Sequence, residues 1–447
     1  MTVYRCAAAV VDGAITDSLD ISCIGGRIAA IESADAGRGV DETLPGLVLP
    51  GFADAHSHVF HRALRGRTHG QSGSVGSFWT WRETMYALAD RLTPETFAGL
   101  ARAAYAELVC AGFTAVGEFH YLHHRPGGVR YGEPNELGVA VARAAQEVGI
   151  GLTLLDGAYL AGGFGLPPTV SQLRFSDGSA AGWAERVAGL SEVLPAGRFA
   201  PIRVGAALHS VRAVPVAQLP EVARFAQQNG WVLHVHLSEQ QAENEAALEA
   251  TGRTPTQLLD EAGALCDRTA VVHATHLTAD DAALLGAARS SVVICPTTEA
   301  DLADGLPKAG HLHTLGAVLC LGGDQHVVTD PFAQVRGLEY GERLATGTRG
   351  TFSPEMLLDT ATAASHRAIG SESGMLQVGA PADFVAVRTD STRTAGSTGL
   401  QLLLSASAAD VAVVVVGGVV QARCGMHERL GDPGPLLAEA IDRAWAG

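Results

Sequence analysis

Residues 51–60 read GFADAHSHVF, and they continue an apolar run, LPGLVLPGF at 44–52, that has the character of a buried strand. Two histidines one residue apart close that strand. Alternate residues of a strand point to the same side, so His56 and His58 aim at one place just beyond its end. An isolated His-x-His is more often a pair of loop imidazoles bonded to backbone. The reading therefore turns on what else in the chain reaches the same place.

Outward from this stretch, short apolar segments alternate with helical patterns. The candidate strands are 47–55, 113–119, 151–156, 202–208, 231–237, 270–274, 291–295 and 317–323. Between them, Thr93-Pro94-Glu95 has the form of a helix cap followed by proline in the first turn, and Gly112 ends that helix. Thr278 caps LTADDAALLGAA at 277–288, with acids in its first turn. Strands alternating with helices make parallel βα units, and eight of them predict an α/β fold, a closed (β/α)8 TIM-type barrel over residues 49–375. The ends differ. Residues 1–48 and 376–424 carry short β-like pieces that are too few in either half for a stable sheet. Together they predict a small β-sandwich domain built from both termini, followed by a helical tail at 425–447.

Functional groups of such barrels gather at the C-terminal ends of the strands. His56 and His58 end the first strand, His209 the fourth, His236 the fifth, His273 the sixth and Asp324 the eighth. Each alone would pass for a polar residue closing a strand; their convergence on one rim points to a site. His234 shares a face with His236 but lies deeper. Neutral imidazoles with one carboxylate suit Zn²⁺ or Fe²⁺ and leave a position open for water, which the metal acidifies. Glu239, in HLSE after the fifth strand, is placed either as a proton shuttle or as the first-turn acid of the next helix. The one lysine in the chain is Lys308, so a lysine bridge between two metals at the fourth strand is unavailable. Glu118 would be the substitute bridge, and one metal per chain is the favoured reading.

Composition narrows the partners. A net charge of −16 argues against nucleic acid and anionic membrane surfaces. Seven cysteines without a Cys-x-x-Cys pair argue against a disulfide framework or zinc ribbon. The apolar run at 411–420 is too short to span a bilayer, and Asp12 interrupts the apolar run near the start. A soluble, cytoplasmic protein is expected.

PGFADAHSH at 50–58 and GMLQVGAPADFVAV at 374–387 resemble signatures of the amidohydrolase superfamily, over nearly the whole chain. Within it, HSHVFHRALRG (56–66), FWTWRETMY (78–86), GEFHYLHH (117–124), LHSVRAV (208–214), CPTTEADLADG (295–305) and LEYGERL (338–344) resemble the formimidoylglutamate deiminase family. That resemblance implies metal ligands at His56, His58, His236 and Asp324, and catalytic groups at Glu239 and His273 with Asp324. It implies substrate contacts at Arg82, Tyr121, His209 and Arg212, and at His61, where the family usually has glutamine. Asp301 stands where asparagine is usual. It further implies a homodimer that hydrolyses N-formimidoyl-L-glutamate to N-formyl-L-glutamate and ammonia. Physical chemistry supports a small dicarboxylate independently, because arginine grips carboxylate as a fork. Trp79 and Trp81 are read as loop packing. The alternatives are another aminohydrolase acting on a purine, pyrimidine or triazine, and a non-catalytic barrel; intact ligands and Glu239 speak against the second.

Overall fold

The computed structural model describes residues 1–68, 78–197 and 199–446; the side chain of Trp79 lies outside the described residues. Four strands come first: β1 (Thr2–Val11), β2 (Ala14–Ile24), β3 (Arg27–Ser33) and β4 (Glu42–Pro50). The barrel follows as β5 (Phe52–Ser57), β6 (Phe113–His120), β7 (Gly151–Ala158), β8 (Ile202–Leu208), β9 (Leu233–Leu237), β10 (Thr269–His273), β11 (Ser291–Ile294) and β12 (Val318–Leu321). The chain then returns through β13 (Phe384–Val387), β14 (Val411–Val416), β15 (Val419–Arg423) and β16 (Met426–His427).

The run read as one strand at 47–55 is two strands in two sheets. β4 pairs with β1 and β13, whereas β5 pairs with β6. Gly51 is the break: its N–H donates to Asp383 O at 3.0 Å, and a Cβ there would collide with the Thr114 side chain. A strand buried on both faces is apolar throughout in either sheet, so hydropathy carries no sign of the change.

Strands β5 to β12 hydrogen-bond in sequence order, and all are parallel. Closure occurs beyond β12, where Asp324 N donates to His56 O at 2.8 Å and His58 N donates to Asp324 O at 3.0 Å. The interior is filled by small side chains, among them Ala53, Ala55, Ala115, Ala270 and Val272, packed with Ala364, Ala368 and Ile369. The short helix Ala363–Ala368 thus lies against the barrel core, held where Thr153 Oγ donates to Ile369 O at 2.6 Å and His234 Nε2 meets Ala368 O at 2.9 Å. This backbone contact is where the deeper histidine goes.

The terminal strands form one continuous sheet, in the order β16-β15-β14-β13-β4-β1-β2-β3. It curls until Gly26 and Ile28 bond to Ala382 and Ala380, so the two halves enclose a common core that includes Tyr4, Ile21, Phe384 and Val415. Gly417 and Gly418, with φ of 57° and 70°, make the two-residue turn that folds the run at 411–420 into the β14–β15 hairpin.

Helix Pro94–Ala111 is capped by Thr93 and ended by Gly112 at φ 110°, and Thr278 caps Ala279–Ala287 with Asp281 completing the box. The aromatic stretch expected as a loop is instead the start of helix Phe78–Arg91. Trp81, Met85 and Leu88 recur at helical spacing, and Met85 and Leu88 are buried, which explains the difference. The C-terminal helix Pro433–Ala446 packs on Pro94–Ala111, with Trp445 Nε1 donating to Ala63 O at 3.0 Å. Among the described residues no helix is long and apolar enough to cross a membrane.

Candidate active site

The strand ends bring His56, His58, His236 and Asp324 together, each offering one ligand atom within 4.8 Å of the others. His58 Nε2 and His56 Nε2 each lie 3.1 Å from His236 Nε2, and both lie 3.4 Å from Asp324 Oδ1. A tetrahedral ion with metal–ligand bonds of about 2.0–2.1 Å has ligand-to-ligand edges of about 3.3 Å. The four atoms therefore fit a divalent metal. His58 turns Nδ1 to Phe119 O at 2.9 Å and His236 turns Nδ1 to His209 O at 2.7 Å, which leaves both Nε2 lone pairs for the centre. Burial, reinforced by neighbouring imidazoles, holds all three histidines well below their usual pKa, in the neutral form that ligates.

The rim is strained. Ser238, His273 and Asp324 have φ of 50°, 70° and 49°, a region that non-glycine residues enter only when the surroundings hold them. His273 sits between two acids: Nδ1 is 3.2 Å from Glu299 Oε1 and Nε2 is 3.9 Å from Glu239 Oε1. Burial opposes its charge, but Glu239, Glu299 and Asp324 overcome this and carry it to about 10. Glu239 is pushed up to about 7 by burial, with Asp324 and Glu243 adding to the shift against His273. Glu239 precedes the helix cap Gln240, and the first-turn acid of helix Gln241–Thr251 is Glu243. The geometry thus puts Glu239 on the cavity wall rather than in the helix.

One cavity above the four ligands is lined by Arg82, Tyr121, His209, Arg212 and His61, together with Glu239 and His273. Every site residue expected from the sequence lies at this cavity except His56, which is buried beneath it. His61 Nε2 is 3.0 Å from the Tyr121 hydroxyl, and its Nδ1 has no partner among the described residues. Trp81 is on the same wall, 5.1 Å ring to ring from His61, rather than in loop packing. Asp301 accepts from Gln325 Nε2 at 2.9 Å.

The amidohydrolase family profile matches residues 47–421. A Pseudomonas aeruginosa protein named formimidoylglutamate deiminase is 38% identical over 88% of this chain and 88% of its own. An 8-oxoguanine deaminase of the same organism is 30% identical over 88% and 85%. The crystal structure of an amidohydrolase from Brucella melitensis superposes with a TM-score of 0.91 at 30% identity, covering 99% of this chain and all of that one. The chain belongs to the amidohydrolase family.

Behind the ligands of this amidohydrolase lies a network that sequence reasoning missed. Ser57, between two ligand histidines, donates to Glu118 Oε2 at 2.7 Å and lies 2.8 Å from His326 Nε2. Glu118 Oε1 accepts from Val59 N at 2.8 Å, so this acid braces the ligand strand and is not among the four converging groups. Glu299 was also missed, although its place in the first turn after β11 was a signal: its Oε1 accepts from Cys295 N at 2.8 Å while holding His273. A second grouping, His120, His123 and Asp156, is already compensated by Arg186, which makes hydrogen bonds of 2.6 and 2.9 Å to Asp156.

Proposed function

We propose that this amidohydrolase hydrolyses N-formimidoyl-L-glutamate, adding water across the C=N bond and releasing N-formyl-L-glutamate and ammonia. The observation that carries the reading is the presence of Arg82 and Arg212 on the wall of the cavity that holds Glu239 and three of the four ligand side chains, with His56 buried beneath it. Two guanidinium groups match a substrate that carries two carboxylates, and the similarity to the formimidoylglutamate deiminase supports the same choice. A single divalent ion held by His56, His58, His236 and Asp324, zinc or else ferrous iron, would supply Lewis acidity and acidify water.

The chain's own groups handle binding and protons. Arg82 and Arg212 fix the carboxylates and so aim the formimidoyl carbon at the strand ends. Glu239, near pKa 7, is poised both to take a proton from water and to give one to the departing nitrogen. His273, steadied by Glu299, donates from the rim and orients the oxygen that adds to carbon. The family resemblance extends the reading to a cytoplasmic homodimer.

Ammonia release from N-formimidoyl-L-glutamate, measured beside 8-oxoguanine and adenosine, tests the assignment. The diacid should be turned over fastest, and Arg82→Met and Arg212→Met should each lower its kcat/KM by roughly 10²-fold. Faster turnover of a purine, or arginine variants that leave the diacid kinetics unchanged, would overturn it.

A further inference from the structure

Tyr86 and Tyr159 stand on the same cavity wall as the two arginines. Tyr86 lies one helical turn beyond Arg82, whose guanidinium is 5.7 Å from the Tyr86 ring centroid. Tyr159 packs on His209 at 4.4 Å, ring to ring. The two hydroxyls are 3.4 Å apart. Behind them sits Gln172, only 3% exposed, in the segment Val170–Phe175. Its Nε2 lies 3.1 Å from the Tyr86 oxygen and 2.8 Å from the Tyr159 oxygen.

The direction of these bonds is fixed by a third contact. Thr169 N–H donates to Gln172 Oε1 at 2.8 Å, closing a capping box. A backbone N–H can face only the oxygen of an amide, so the NH₂ end must face the tyrosines. Each phenol oxygen then accepts one amide hydrogen and keeps its own proton to give. The contact between the hydroxyls uses at most one of those protons. The other is left for the cavity. Burial holds the Tyr159 phenol well above its usual pKa, so the donor stays protonated at neutral pH.

We infer that Gln172 is a positioning residue that turns the Tyr86 and Tyr159 hydroxyls into donors for one substrate carboxylate, completing a subsite begun by Arg82 and Arg212. A carboxylate has about four acceptor positions and one guanidinium fork fills two. The tyrosines supply at least one further donor, and they select a substrate that carries a second acidic group in register with the reacting carbon. This inference rests on the diacid reading of the preceding subsection.

Gln172→Glu is the decisive variant. A glutamate keeps the capping box, because its carboxylate still accepts from Thr169 N–H. It reverses the polarity toward the tyrosines, drawing their protons away from the cavity. Kinetics would be measured for Gln172→Glu, Tyr86→Phe and Tyr159→Phe on N-formimidoyl-L-glutamate, N-formimidoyl-glycine and N-formimidoyl-4-aminobutyrate; the glycine analogue lacks the side-chain carboxylate and the aminobutyrate analogue lacks the α-carboxylate. Gln172→Glu should raise KM for the diacid by about 10-fold or more, with kcat changed far less, as for loss of hydrogen bonds to a charged group. The same penalty should persist on one monoacid and shrink on the other, which identifies the carboxylate. Penalties equal on all three substrates, a loss confined to kcat, or no change would overturn the inference. A wild-type enzyme that fails to turn over the diacid would instead overturn the functional assignment beneath it.

Discussion

Glu239 Oε1 lies 3.9 Å from His273 Nε2, close enough for one proton to be shared through a small shift or a single water. The pair is asymmetric: burial raises Glu239 to about 7, whereas flanking acids carry His273 to about 10 despite burial. An acid that titrates near neutrality beside a cation-stabilised rim is the group to exchange protons. Replacing Glu239 with Gln removes that exchange and keeps shape. Turnover should fall by roughly 10²–10⁴-fold with metal content and thermal unfolding little changed. A variant that keeps most of its kcat would return Glu239 to a structural role.

Four ligand atoms within 4.8 Å of one another, with four of their separations at 3.1–3.4 Å, call for one ion. Elemental analysis of the purified protein should find about one transition metal per chain. His56→Ala and Asp324→Ala should lose metal and activity together, while the barrel stays closed in Asp324→Ala, since the bonds to His56 and His58 run through the backbone that alanine keeps. Two firmly bound ions per chain, or none, would contradict the mononuclear reading.

The fold class was readable because the barrel strands are short apolar runs, five of which lead into a histidine or aspartate, and because helix caps such as Thr93 and Thr278 are local signals. Gly51 was not readable as a boundary: both strands around it are buried, and burial on both faces leaves the same composition in either sheet. Strand alternation, a short-range rule, aimed His56 and His58 at one place; the barrel rim added His209, His236, His273 and Asp324, and the family resemblance picked the four ligands among them. Glu299, Ser57 with His326, and the Tyr86–Gln172–Tyr159 group depend on elements far apart in the chain. Glu299 reaches His273 and Ser57 reaches His326 only once the barrel strands stand side by side, and Gln172 meets Tyr86 only when the segment after β7 folds against helix Phe78–Arg91.

Gly51 gives the boundary a measurable energy. Its neighbour across the junction is Thr114, whose hydroxyl donates to Phe52 O at 3.2 Å. Gly51→Ala should destabilise the protein by roughly 1–3 kcal/mol, the usual range for overpacking. Thr114→Ala removes the two closest colliding atoms, Oγ1 and Cγ2, so the double variant should be more stable than the sum of the single losses by about 1 kcal/mol. Simple additivity in denaturant midpoints would show that the clash is relieved elsewhere.

His366 ties the same junction to the barrel core, with Nε2 3.1 Å from Gly51 O and Nδ1 3.1 Å from the Ser371 hydroxyl. Burial lowers its pKa to about 4, assisted by Arg203 and opposed by the Gly51 carbonyl. An unfolded histidine titrates near about 6.5. Between these values the unfolded chain binds a proton that the folded chain refuses, so stability is full above pH 6.5 and is lost as pH falls toward 4. The shift is worth at most about 3 kcal/mol. His234 and His123, each held at about 4 by burial, act in the same direction. Denaturant midpoints should therefore fall steadily from pH 7 to pH 5. His366→Gln would retain a donor toward Gly51 and should flatten that slope by up to one proton, at some loss of stability at pH 8. His366 lies outside the group of metal ligands, so the difference between wild type and variant isolates it from metal release. Parallel slopes for the two proteins would mean that His366 is already charged, or already exposed, in the folded state.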